Sequence, residues 1–231
     1  MIDIHSHCLP ALDDGAKNVS ESIDMLTDSY SQGVERCVCT PHANVHRDDD
    51  ILRHIDKRNQ SIELLKQGTA DKKILIPELH YGFEVFIDND ISVYSDIEKM
   101  CIDDTKCMLV ELSYTKYNEY YPEWLYSLSV KGITPILAHV ERYQYFDRLF
   151  EELDGFKVIY QINASTLMTS QGKKLLNKLY QSGSTVVGGS DMHNMLFRRS
   201  KIAKAYKKVE KIDSEIAQDI FYNNAKRILG I

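Results

Sequence analysis

Seven short apolar runs, each followed by a stretch of helical character, limit what this chain can build more than any other feature. The runs are Ile2 to His7, Glu35 to Thr40, Lys73 to Ile76, Lys106 to Leu112, Ile133 to Ala138, Lys157 to Ile162 and Ser184 to Val187, with the length and β-branched content of buried strands. Asn18 followed by Glu21 has the form of a capping box, and Gly33 supplies a stop for the intervening helix. Gly68, Gly132 and Gly183 are read as later stops, and Ile51, Ile55, Ile62 and Leu65 as one apolar helical face. Strand and helix in alternation predict a parallel α/β architecture. Closure into a barrel fits better than an open sheet, because polar candidate ligands recur at strand ends. With 231 residues, 43% of them hydrophobic, and no Pro/Gly/Ser-rich linker, a single domain over residues 1–231 is expected.

Composition removes several function classes. A net charge of -6 argues against a nucleic-acid binder, and the basic run Lys201 to Lys211 is interleaved with Ala203, Tyr206 and Val209 as a solvated helix face would be. No stretch is long and apolar enough to span a bilayer, and the start has no basic n-region before an apolar segment, so a cytoplasmic protein is expected. The five cysteines (Cys8, Cys37, Cys39, Cys101, Cys107) contain no C-x-x-C and read as reduced packing residues. None has an arginine six positions later, which closes the thiol route of cysteine-dependent phosphatases. Phosphate-loop and dinucleotide fingerprints are also missing.

The candidate chemistry lies at the strand ends. In an extended strand His5 and His7 project to one face while Ile2 and Ile4 project to the other. Asp191 and His193 repeat the spacing after the last run. His42, Glu84, Glu111 and His139 follow intermediate runs, and Asp14 lies in the loop after the first. Each alone has an ordinary reading as a hydrogen-bonded core or surface residue. Together they form a mixed nitrogen and oxygen set suited to Mn, Fe or Zn, and the lack of thiolates argues against structural zinc or an iron-sulfur cluster.

The words Met1-Ile2-Asp3-Ile4-His5-Ser6-His7, Asp13-Asp14-Gly15, Thr40-Pro41-His42, Gly82-Phe83-Glu84, Glu111-Leu112-Ser113, Ala138-His139-Val140-Glu141-Arg142-Tyr143 and Ser190-Asp191-Met192-His193-Asn194 resemble the polymerase and histidinol phosphatase (PHP) superfamily. Within it they are most similar to the bacterial capsule-associated, manganese-dependent tyrosine phosphatases. The resemblance implies a distorted, TIM-like (βα)7 barrel and a site for three metal ions, usually assigned as Mn2+. Its ligands would be His5, His7, Asp14, His42, Glu84, Glu111, His139, Asp191 and His193, with Arg142 and Arg198 binding phosphate. The implied activity is hydrolysis of phosphotyrosine by a metal-activated hydroxide. The implied partner is a bacterial tyrosine autokinase controlling capsule or exopolysaccharide synthesis.

Two places depart from the family pattern. Asp48 to Asp50 are acidic where relatives often carry basic or aromatic residues, and Phe83 precedes Glu84 where a small residue is expected, leaving Glu78 and His80 as competitors. Tyr114, Tyr117, Tyr120, Tyr121 and Trp124 could stack on a substrate ring or pack on a helix, and His46 and His54 read as solvated. The alternative functions are a small-molecule phosphatase, such as histidinol-phosphate phosphatase, and a regulatory metal-binding module without turnover.

Overall fold

The computed structural model describes residues 1–70 and 74–231. Its strands are β1 (Ile2–Ser6), β2 (Arg36–Cys39), β3 (His42–Asn44), β4 (Glu78–Tyr81), β5 (Glu84–Phe86), β6 (Cys107–Glu111), β7 (Thr134–Leu137), β8 (Ile159–Asn163) and β9 (Thr185–Gly189). Helices α1 (Val19–Ser31), α2 (Asp48–Thr69), α3 (Tyr121–Val130), α4 (Phe146–Glu152), α5 (Ala164–Leu167), α6 (Ser170–Gln181), α7 (Ile202–Glu210), α8 (Ser214–Gln218) and α9 (Asn224–Leu229) surround them. The strands form two parallel ladders, β1-β2-β4 and β3-β5-β6-β7-β8-β9.

The two ladders run into one another. Only Thr40 and Pro41 separate β2 from β3, and only Gly82 and Phe83 separate β4 from β5. Pro41 has no N–H to give a ladder, yet bonding continues across the breaks, since Gly82 N donates to Cys39 O at 3.0 Å and Glu84 N to Pro41 O at 3.0 Å. Seven strand lines result. The first and last meet through Asp191 N donating to His5 O and His7 N to Met192 O, both at 2.9 Å, and a single Ser6–Met192 bridge, without a regular ladder.

Two sequence expectations are corrected. In the third run, Lys73 lies outside the described residues and Ile74 to Ile76 form no strand. The strand is β4 instead, held by its register against β2 from Arg36–Glu78 to Cys39–Tyr81. Its own apolar pattern is weak, and pairing with a strong neighbour decides. Gly68, read as a stop, lies inside α2: a Cβ there would sit 2.3 Å from Val19 Cγ1, so this glycine lets α1 and α2 approach closely.

Other local readings hold. Gly33, Gly132 and Gly183 have φ of 89°, 79° and 76° just past α1, α3 and α6. Asn18 Oδ1 accepts from Glu21 N at 3.0 Å, and Glu21 Oε2 accepts from Lys17 N, one residue before the usual capping-box donor. The acidic run Asp48 to Asp50 forms the first turn of α2, where it complements the helix dipole. Asp50 accepts from His46 N at 2.9 Å and Asp48 from Ser95 N at 2.8 Å.

Ile2, Ile4, Val38, Leu109, Ile136 and Val187 meet Ala225, Ile228 and Leu229 of α9 in one buried cluster. On the other face of the strands, Val110, Leu137 and Val186 belong to a larger cluster with Leu125, Leu149, Leu179 and Val209 from four helices. Layers on both faces of a parallel sheet leave the strand ends as the place where polar side chains can gather. Among the described residues no helix is long and apolar enough to cross a membrane.

Candidate metal centre

The first strand delivers two fully buried imidazoles to one point. His5 Nε2 and His7 Nε2 lie 3.1 Å apart, and each faces Glu84 Oε2, at 3.3 and 3.2 Å. Their other nitrogens are already engaged: His5 Nδ1 is 3.0 Å from Gln161 Oε1, and His7 Nδ1 is 2.7 Å from Asp13 Oδ2. Such outer contacts set ring orientation and tautomer in metal sites. Gly189 makes room for this arrangement, since a Cβ there would lie 2.8 Å from both His5 Cβ and Gln161 Nε2.

The remaining candidates lie around these imidazoles and Glu84. His42 Nδ1 lies 3.1 Å from Glu84 Oε2 and 3.8 Å from Glu111 Oε2; His139 Nε2 lies 2.7 Å from Glu84 Oε1 and 3.5 Å from Glu111 Oε1. Asp14 Oδ1 is 3.2 Å from His193 Nε2 and 3.5 Å from His42 Nε2. Asp191 Oδ1 is 3.7 Å from His5 Nε2 and 3.6 Å from His7 Nε2. Three overlapping groups have ligand atoms close enough to share an ion: His7, Asp14, His42 and His193; His5, His7 and Glu84; and His42, Glu84 and Glu111. His139 and Asp191 adjoin them through Glu84 and His5. All nine expected positions therefore come together. Glu78 and His80 do not: Glu78 pairs with Arg36 at 2.9 Å, and His80 Nδ1 lies 2.6 Å from Asp103.

Electrostatics suits a cation here. Among the described residues Glu84 Oε2 and His193 Nε2 are buried without a hydrogen-bond partner, an arrangement that costs stability unless something else is ligated. Burial disfavours a charged His7, but the facing carboxylates of Asp13 and Glu84 outweigh it and push its pKa up to about 10. Burial likewise raises the pKa of Glu84, and the facing His5, His139 and His42 more than reverse this, holding it well below the usual carboxylate range. His193 is pushed down to about 4 by burial and by the charge on His7. The pull that keeps a proton on His7 would equally hold a divalent ion, with release of that proton. The backbone is also constrained, with His139 and Asp191 at φ of 31° and 52°, conformations that cost about 1–3 kcal/mol each and concentrate at functional sites.

Arg142 and Arg198 reach the rim together. Both hold Asp191: Arg142 bonds Oδ2, and Arg198 donates to Oδ1 at 2.8 Å. Each is about one-third exposed, so the pair can bind an incoming anion. Arg142 also donates to Tyr114 Oη at 3.2 Å, and the Tyr114 hydroxyl donates to Glu111.

The aromatic expectation is narrowed. Tyr121 is buried and stacks on Tyr145. Tyr117 bonds Glu152 beneath Arg148, whose guanidinium carbon lies 4.0 Å from the ring centroid, and Tyr120 stacks on Trp124. These four rings serve packing. Only Tyr114 reaches the centre, edge-on to His139 at 5.4 Å between centroids. Asp13, Gln161 and Asn163 are additions. Asn163 donates to Asp191 Oδ2 at 2.9 Å, and Gln161 to Asn163 Oδ1 at 2.9 Å. Their one legible signal is the alternation of two amides at the end of β8.

A parallel α/β fold whose strand ends deliver five imidazoles and four carboxylates beneath two arginines defines a candidate metallohydrolase acting on an anion. The profile of the family described as capsular polysaccharide synthesis, CpsB/CapC, matches residues 1–230, and this chain belongs to that family. It is 30% identical to tyrosine-protein phosphatase CpsB of Streptococcus agalactiae, over 99% of this chain and 98% of the relative. It is 31% identical to putative tyrosine-protein phosphatase CapC of Staphylococcus aureus, over 91% and 87%. Among solved structures it is similar to a chain from a study of YwqE from Bacillus subtilis and CpsB from Streptococcus pneumoniae, described as unique metal-dependent tyrosine phosphatases. That match has a TM-score of 0.76 and 27% identity, and covers 94% of this chain and 90% of the other.

Proposed function

We propose that this chain is a metal-dependent protein-tyrosine phosphatase whose activity resides in one domain over residues 1–231. The observation that carries the reading is the convergence of His5, His7, Asp14, His42, Glu84, Glu111, His139, Asp191 and His193 on overlapping ligand groups beneath Arg142 and Arg198. In this reading those nine residues hold three manganese ions. When bound, the ions would supply Lewis acidity toward phosphate and activate the attacking water. Arg142 and Arg198 present planar guanidinium groups to the equatorial phosphoryl oxygens, where bidentate contacts stabilise developing charge. Asp191 aims both guanidinium groups, and Asn163 fixes Asp191.

A tyrosyl leaving group has a pKa of about 10 and departs with less protonation than a serine alkoxide. The site's exposed rim suits a side chain presented on a protein. The substrate we assign is phosphotyrosine on a bacterial tyrosine autokinase controlling capsule or exopolysaccharide synthesis, met in the cytoplasm. The test is turnover of phosphotyrosine, phosphoserine and histidinol phosphate by purified, manganese-loaded protein. Clear preference for phosphotyrosine is expected. Equal rates would leave a generic phosphoesterase, preference for histidinol phosphate a small-molecule phosphatase, and no turnover of any aryl phosphate a non-catalytic metal-binding module.

Tyr114 is a positioning residue in this scheme. Burial and the Glu111 carboxylate raise its pKa, so it remains a hydroxyl linking Glu111 to Arg142. Tyr114→Phe should lower kcat about tenfold through loss of that tie, while bound metal and the inhibition constant of inorganic phosphate as competitor stay near the parent values. Unchanged kcat would reduce Tyr114 to a packing ring.

A further inference from the structure

Beside the metal centre, a small cavity bordered by Arg142, Asp191 and Arg198 shares the side chains of Arg199 and Lys201 with a larger cleft of about 680 Å3 along α7. The cleft is also lined by Lys204 and Lys207, and its one acidic lining residue, Asp28, is bonded to Arg199. Among the described residues Lys201, Lys204 and Lys207 form no ion pair, in contrast to the neighbouring Arg198 and Arg199. Ile202, Ala205 and Val209 bury the opposite side of α7. The lysines are therefore held outward in a row of ~9 Å from Lys201 to Lys207, the length of about three extended residues. A chain of net charge -6 thus carries a row of lysines outside any ion pair among the described residues that begins at its own active-site rim, and such rows concentrate anionic partners by electrostatic attraction.

We propose that this cleft is an accessory subsite for a carboxylate-rich segment of the substrate chain, engaged while the phosphorylated side chain occupies the metal centre. The inference deepens the phosphatase reading and rests on it. It replaces the solvated-face interpretation of Lys201 to Lys211 with a specificity role. Recognition is by charge: glutamate and aspartate side chains beside the phosphorylated residue meet Lys201, Lys204 and Lys207. A small aryl phosphate does not reach Lys204 and Lys207, which line the larger cleft and not the small cavity at the rim.

The test uses the manganese-loaded chain of 231 residues and phosphotyrosine peptides of equal length that carry three glutamates, three glutamines or three lysines on either side of the phosphorylated residue. The glutamate peptide of one polarity should have kcat/KM about tenfold above its glutamine counterpart. That advantage should vanish in Lys204→Glu/Lys207→Glu, shrink in Lys204→Gln/Lys207→Gln and collapse in 0.5 M salt. Hydrolysis of para-nitrophenyl phosphate should stay within about twofold throughout, since exposed lysines beyond the rim do not touch it. Anisotropy of the labelled glutamate peptide with unphosphorylated tyrosine reads the cleft independently of turnover, and the double variants should bind it several-fold more weakly. Equal turnover of the glutamate and glutamine peptides, or equal peptide binding by parent and variants, overturns the subsite and leaves the phosphatase reading intact. Peptide binding without any aryl phosphate turnover supports the subsite and overturns the phosphatase reading. Tighter binding of an oligonucleotide or an anionic vesicle than of the glutamate peptide also overturns the assignment.

Discussion

Chelation of divalent ions should abolish phosphotyrosine hydrolysis, and added manganese should restore it. Four imidazoles, His5, His7, His42 and His139, face Glu84, whose Oε2 has no hydrogen-bond partner among the described residues, and the reaction has no thiol nucleophile to fall back on. Cys8, Cys37, Cys39 and Cys101 are buried, and alkylation of native protein should leave most activity in place. Full loss on alkylation with no effect of a chelator would sink the proposed centre. Stability should move as well, because an ion that binds only the folded state at 100 times its Kd contributes about 2.7 kcal/mol. Thermal melts with and without manganese measure this. The chelated protein should also become pH-sensitive in a defined direction. The pKa of His7 is raised to about 10 in the fold, against about 6.5 in an unfolded chain. The stabilisation from its protonated pairing is complete below the lower value and is lost as pH rises through the higher one. Melting temperature in chelator should thus fall from about pH 7 to pH 10, and metal occupancy should flatten the curve.

Arg142→Ala should lower kcat/KM for aryl phosphate by about two to three orders of magnitude, the usual cost of removing a strong transition-state donor. Bound metal, read by elemental analysis, should be retained, because Arg142 contacts Asp191 and Tyr114 at the rim. His139→Ala should lose both activity and metal, since His139 Nε2 lies 2.7 Å from Glu84 and 3.5 Å from Glu111. This difference separates a phosphate clamp from a ligand. Arg142→Lys distinguishes geometry from charge: a lysine restores the positive charge without the bidentate fork and should recover little of the rate. A kinetically silent Arg142→Ala would leave this residue a surface partner of Asp191 and nothing more.

The candidate site was more legible in the sequence than parts of the scaffold, for a physical reason. Ligand positions at strand ends follow a backbone period of two and recur after most of the apolar runs, so His5 with His7 and Asp191 with His193 announce themselves locally. The strand at Glu78–Tyr81 does not, because its ordering comes from the ladder with β2. The three-residue strands His42–Asn44 and Glu84–Phe86 escape for the same reason, being ordered by their pairing with each other and with β6. Gly68 carried the chemical look of a helix stop, and only the approach of Val19 from another helix shows why a glycine stands there.

The family resemblance supplied the two arginines; by itself the sequence determined the parallel α/β class, the N-cap of α1, the left-handed stops of α1, α3 and α6, and the candidate ligand positions apart from the choice of Glu84. These rest on backbone periodicity and side-chain chemistry, which act over a few residues. Tertiary structure alone decided between Glu84 and its rivals Glu78 and His80, because that choice depends on which carboxylate is buried among imidazoles contributed by three distant segments. It also reassigned Tyr117, Tyr120, Tyr121 and Trp124 to packing, recruited Asp13, Gln161 and Asn163 as orienting partners, and joined the lysines of α7 to the rim of the centre. Each of those outcomes is set by contacts between residues far apart in the chain, whose distances no local pattern encodes.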